Sequence, residues 1–128
     1  MICVRSVVDL RGEYRCLAPE LASAGYRVLC MDVRGHGETS TPWSDYSVGA
    51  IGSDILALIR HLDSGPAVVI GTSMAGGAGI WAAAEAPELV RSLVLIDTFY
   101  RGSSKWQEKL LFYPLFSRPW GPATGPSH

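Results

Sequence analysis

Apolar residues along this chain come in two patterns that take turns. Short unbroken runs are bounded by glycine, proline or charge, and longer stretches recur every three to four positions. Ile2-Cys3-Val4 opens the chain as a strand that could extend to Val8. Leu17 to Ala24 reads as a helix, with Pro19 in its first turn and Gly25 as its stop. Tyr26 to Met31 is a second strand, ending at Asp32 and opening into a loop from Val33 to Asp45. Val48, Ile51, Ile55, Leu58, Ile59 and Leu62 then mark one face of a helix, which Ser64-Gly65-Pro66 ends. Ala67 to Ile70 is a fully apolar third strand, the pattern of a parallel sheet covered on both faces. A glycine-rich turn, Gly71 to Gly77, leads into a helix of small residues through Glu85, closed by Pro87. Ser92 to Ile96 is a fourth strand, ending at Asp97. Strands and helices thus alternate, which predicts an α/β fold: a parallel sheet of about four strands flanked by helices.

The pattern breaks after Arg101. Residues 1–101 form one predicted core. Residues 102–128 hold an aromatic stretch (Trp106, Phe112, Tyr113, Phe116, Trp120) and a Pro/Gly-rich tail. No internal repeat is present.

Composition narrows the function classes. Apolar residues make up 48% and charged residues 18%, which is globular. Eleven basic against 12 acidic residues leave a net charge of -1, which gives no reason to expect a nucleic acid or an anionic membrane as partner. No apolar run approaches the roughly 20 residues of a bilayer span. Arg5 and Asp9 make the N-terminus a poor signal peptide. Cys3, Cys16 and Cys30 are odd in number and lack CxxC spacing, so a disulfide framework or zinc ribbon is not expected. They read as buried free thiols of a cytoplasmic protein.

The candidate chemistry lies in Gly71-Thr72-Ser73-Met74-Ala75-Gly76-Gly77. It follows a strand and precedes a helix, the setting of a nucleophile elbow. A serine there projects alone above the sheet, and its neighbours must be small, as Gly71, Ala75 and Gly76 are. The N–H groups and dipole of the helix starting at Met74 could stabilise an oxyanion. A rival reading is the dinucleotide spacing G-x-G-x-x-A at Gly77 to Ala82, with Asp97 about 20 residues on. Its glycines start inside the predicted helix rather than at the strand end, where a pyrophosphate would bind. A P-loop is excluded because no lysine follows the glycines.

Three segments resemble the α/β-hydrolase superfamily, in its small esterase and lipase-like branch: the elbow at Gly71 to Gly77, Met31-Asp32-Val33-Arg34-Gly35-His36-Gly37-Glu38-Thr39, and Glu88 to Asp97. Together they cover about residues 13 to 100, in the family's order and spacing. The elbow departs from G-x-S-x-G by Ala75. The resemblance implies the central part of that fold, the four strands lying side by side in the order second, first, third, fourth. It implies a hydrolase of an ester, lactone or amide, with Ser73 as nucleophile, the Met74 N–H in the oxyanion hole and no cofactor. Asp97, at a strand end where some members place the triad acid, is the candidate acid. The second oxyanion donor would be the Val7 N–H, where Ser6 takes the usual glycine's place. The family's catalytic histidine follows the acid in the chain. His36 sits in the family turn and His61 precedes the elbow, while His128 ends the Pro/Gly tail; none is assigned as the base. The substrate would be a small molecule, selected by a cap region beginning within residues 102–128. The alternative is a non-catalytic truncated remnant of the fold. The outer strands would leave apolar edges that favour self-association.

Overall fold

The computed structural model describes residues 1–5, 14–37 and 39–98. The extension of the first strand to Val8, the Val7 donor, His128 and the region 102–128 lie outside the described residues. Seven elements follow the predicted alternation: β1 (Ile2–Val4), α1 (Leu17–Ser23), β2 (Leu29–Met31), α2 (Val48–Leu62), β3 (Ala67–Thr72), α3 (Met74–Glu85) and β4 (Val90–Ile96). The four strands form one sheet in the order β2-β1-β3-β4. Every pairing is parallel. This is the predicted order.

Side chains alternate between the two faces of a strand, and each face of this sheet has its own cover. Ile2, Val4 and Val69 pack with Ile51, Ile55 and Ile59 of α2 and Ala78 and Ala82 of α3. Cys3 and Ile70 point the other way, against Tyr14 with Ala18 and Leu21 of α1. Small residues let α3 lie close to the strands. A Cβ on Gly79 would sit 3.2 Å from Leu93 and 3.4 Å from Val69, tighter than ordinary van der Waals contact. That accounts for the glycines of the rival dinucleotide spacing, whose first residue, Gly77, lies within α3.

Local chemistry sets the element ends. Ser47 caps α2, accepting from the Ala50 N–H, and Asp63 leaves the helix in the left-handed region. Gly25, at φ 92°, turns the chain out of α1. The Gly25 and Tyr26 N–H groups bond back to Ala22 and Leu21. Tyr26 is thereby held at the helix end, and β2 starts at Leu29 rather than at the expected Tyr26. β3 runs two residues past Ile70, through Gly71 and Thr72, both paired with β4. β4 starts at Val90, two residues earlier than expected, because Val90 pairs with Ala67 across an irregularity in register.

The cysteine expectation needs one correction. Cys3 is buried, but Cys16 and Cys30 are exposed. Cys30 stands on the edge strand β2 and Cys16 at the entry to α1, where no element among the described residues covers them. Among the described residues no helix is long and apolar enough to cross a membrane.

Candidate active site

The site grows out of the C-terminal ends of the parallel strands, where ligands of open α/β sheets bind. β3 passes into α3 through a single residue, Ser73. Its backbone is held at φ 53°, ψ -120°, a region that non-glycine residues rarely adopt. Backbone hydrogen bonds on both sides fix it there. Its N–H donates to the Ile96 carbonyl at 3.0 Å, and its carbonyl accepts from the Gly76 N–H at 3.1 Å. The turn leaves no room for a side chain at Gly71, where a Cβ would lie 2.7 Å from the Ala75 oxygen and the Gly76 nitrogen. Ala75, the departure from the family pattern, is 1% exposed, so its methyl is accommodated in the core.

This is the backbone geometry that a nucleophile elbow requires. The Ser73 side chain makes no capping bond to α3. The residue is half-buried. Met74 is the first residue of α3, and its N–H has no intrahelical acceptor. It stands directly after the serine, where a donor to an oxyanion has to be.

Asp97 reaches the same end of the sheet. Thr72 pairs with Ile96, so the residues that follow each of them, Ser73 and Asp97, leave neighbouring strands at one level. Asp97 also adopts a positive φ, 48°, and is exposed. No hydrogen bond joins it to Ser73 or to a histidine among the described residues. His36 is turned into its own loop, its Nδ1 3.1 Å from the Arg34 carbonyl. His61 lies in the last turn of α2, on the exposed surface. The structure thus brings Ser73, Met74 and Asp97 together and leaves both described histidines outside the group. No cluster of three metal-ligating side chains occurs among the described residues.

Two supports of the site come from residues far away in the chain. The Tyr14 ring is buried under the strand ends, and its hydroxyl lies 3.1 Å from the Val4 carbonyl and 3.0 Å from the Thr72 hydroxyl. It ties the end of β1 to the residue before Ser73. Sequence reasoning missed it, since its partners lie 10 and 58 residues away. Arg34 and Asp32 hold the turn after β2, as their positions suggest. Asp32 pairs with Arg5 at 3.0 Å. Arg34 grips both carboxylate oxygens of Asp54 at 2.7 and 2.8 Å, donates to the Asp45 carbonyl and stacks on Trp43. These bonds to Asp54, with burial opposing, raise the Arg34 pKa above its ordinary value. The pair is partly buried, with 13% and 31% of the side chains exposed. Asp54→Ala is therefore expected to lower stability by about 1.5–2 kcal/mol in urea unfolding, the scale of a two-point bond to a charged group.

The comparisons agree with this geometry. A family profile described as the alpha/beta hydrolase fold matches residues 8–120. The 3-oxoadipate enol-lactonase 2 of Acinetobacter baylyi is 40% identical over 73 residues, covering 57% of this chain and 27% of that protein. The 2-(acetamidomethylene)succinate hydrolase of Mesorhizobium japonicum is 39% identical over 72 residues, covering 56% of this chain and 26% of that protein. Among solved structures, a thermophilic esterase from Thermogutta terrifontis superposes with a TM-score of 0.77 at 26% identity, over 85% of this chain and 40% of the esterase. The chain spans about a quarter of the length of the curated relatives it matches. With the elbow, the strand order and the matched profile in agreement, the chain belongs to the alpha/beta hydrolase fold family.

Proposed function

We propose that this chain carries the nucleophile of a hydrolase acting on an ester, lactone or amide. The observation behind the reading is Ser73, held in a rare backbone conformation with its hydroxyl making no capping bond to the helix it starts. Strain of this kind persists where the surrounding structure imposes it, and it concentrates at active sites. The Ser73 oxygen adds to the substrate carbonyl and gives up its proton, which the departing alcohol or amine takes up, and the oxyanion that forms is stabilised by the Met74 N–H at the start of α3. Collapse expels the alcohol or amine and leaves an acyl group on Ser73. Water then releases the acid. Asp97 is the candidate acid partner of a base. The substrate classes follow the similar proteins, whose names include a 3-oxoadipate enol-lactonase, an esterase and a 2-(acetamidomethylene)succinate hydrolase. We place the activity in the cytoplasm, where unpaired and partly exposed thiols persist. Hydrolysis of p-nitrophenyl acetate by this chain is expected to exceed the buffer rate and to saturate with substrate. A rate indistinguishable from buffer would overturn the catalytic reading for the 128-residue chain.

A second reading rests on the histidines. His36 and His61 are both engaged or placed away from Ser73. In that reading Ser73 is unactivated here, and the chain is a non-catalytic form of the fold.

The sheet edges carry a proposal about partners. Val94, Leu95 and Ile96 of the edge strand β4 are 40–45% exposed, and an apolar edge strand is a template for pairing with another chain. The occupant we propose is a second copy of this chain. Sedimentation velocity is expected to show a weight-average mass that rises with concentration. A single monomeric species throughout would contradict it.

A further inference from the structure

Cys3 and Cys30 are exact neighbours in the β1–β2 ladder, paired in register. In a parallel sheet, residues in register send their side chains to the same face, with Cα atoms about 4.8 Å apart. A disulfide needs a Cα separation of about 4.4–6.8 Å, and the ordinary spacing of neighbouring strands lies within that range. The two thiols differ sharply in access. Cys3 is completely buried, in the small cluster with Tyr14 and Ile70, while Cys30 is exposed on the edge strand. Burial, with the neighbouring Cys30 thiol adding to it, pushes the Cys3 thiol up to about 11. Cys16, the third thiol, is exposed at the entry to α1 and has no place in this ladder.

We propose that Cys3 and Cys30 form a dithiol–disulfide pair, a redox modification site oxidised by low-molecular-weight disulfides such as glutathione disulfide. The order of events follows from access. The Cys30 thiol loses its proton to solvent, and its sulfur attacks one sulfur of glutathione disulfide. That bond breaks, and glutathione leaves as a thiolate that takes up a proton. Cys3 then gives up its proton and attacks the Cys30 sulfur of the mixed disulfide, expelling the second glutathione. Two protein thiols are oxidised to one disulfide, and one glutathione disulfide is reduced to two glutathiones. Cys30 is the entry point because the oxidant can reach it. Cys3 is the resolving thiol, protected from direct attack and slow to ionise. The bond would join strands whose C-terminal ends carry the Arg5–Asp32 pair. The site is independent of the role of Ser73.

The test is exchange of the native protein with glutathione disulfide, followed by acid quenching, alkylation and mass spectrometry of the whole chain and its peptides. The expected product carries a Cys3–Cys30 cross-linked peptide, while Cys16 is found either alkylatable or as its own mixed disulfide with glutathione, never joined to Cys3 or Cys30. Cys30→Ser, a change at an exposed position, is expected to abolish the cross-link and leave Cys3 unmodified. Cys3→Ser is expected to stop at the Cys30–glutathione mixed disulfide. A mixed disulfide at Cys30 that persists in the unmutated protein would overturn the proposal. So would a link from Cys16 to Cys3 or Cys30, or glutathione on Cys3 in the Cys30→Ser variant.

Discussion

Ser73→Ala is expected to reduce p-nitrophenyl acetate hydrolysis at least about 10³-fold, while the fold stays intact. The size of the loss follows from the role. Removing the nucleophile of a serine hydrolase eliminates the acyl-enzyme route and leaves only the residual rate that substrate binding and an oxyanion hole sustain. The intactness follows from the geometry. Ser73 sits at φ 53° whatever its side chain, and serine and alanine present the same Cβ to that backbone. The residue makes no capping bond that alanine would lose. The change in unfolding free energy is therefore expected within about 0.5 kcal/mol. Activity and stability separate, which distinguishes a reactive serine from one that merely holds the turn. Parallel rate measurements and urea denaturation read both quantities. A variant that keeps the rate of the unmutated protein would remove Ser73 from the mechanism.

Gly71→Ala gives the opposite separation, with stability lost first. The added methyl would lie 2.7 Å from the Ala75 oxygen and from the Gly76 nitrogen and 2.8 Å from the Ala75 carbonyl carbon. These are backbone atoms of the first turn of α3, and no rotamer change moves them aside. The helix start has to shift, and it carries Ser73 and the Met74 N–H with it. Overpacking of a buried site typically costs about 1–3 kcal/mol, and rigid backbone neighbours put this one near the upper end. A loss of about 2–3 kcal/mol is a large part of the stability of a domain this small. A lower urea midpoint at unchanged slope is the expected reading. A midpoint within error of the unmutated protein would mean that the elbow is looser than its contacts imply.

Several parts of the molecule were legible in the amino-acid sequence. The limits of α2 follow from the apolar period of Val48, Ile51, Ile55 and Ile59, and the helix runs over the predicted residues. The strand–turn–helix setting of Ser73 was legible because Gly71, Ala75 and Gly76 are small where crowding demands it. The strand order came through the family resemblance rather than from periodicity, which does not say which strands are neighbours. Tyr26 misled because an aromatic residue favours a strand locally, whereas its N–H is spent closing α1. Cys30 misled because a thiol inside an apolar run reads as core, while β2 lies at the sheet edge.

What stayed hidden is held by long-range contacts. Tyr14 reaches carbonyls and a hydroxyl on two strands, and nothing near it in the chain marks that role. The partner of Arg34 lies 20 residues away on α2. Asp97 is a charged strand end in sequence; the register of β3 with β4 brings it level with Ser73.

The central claim is that Ser73 becomes acylated during turnover. The most direct measurement is acid quenching of the reaction with p-nitrophenyl acetate, followed by peptide mass mapping of the chain. The account predicts one acetyl group on the peptide that contains Ser73, located at that residue and absent from the Ser73→Ala protein. Acetyl groups scattered over lysines, with the Ser73 peptide unmodified while ester is consumed, would contradict it.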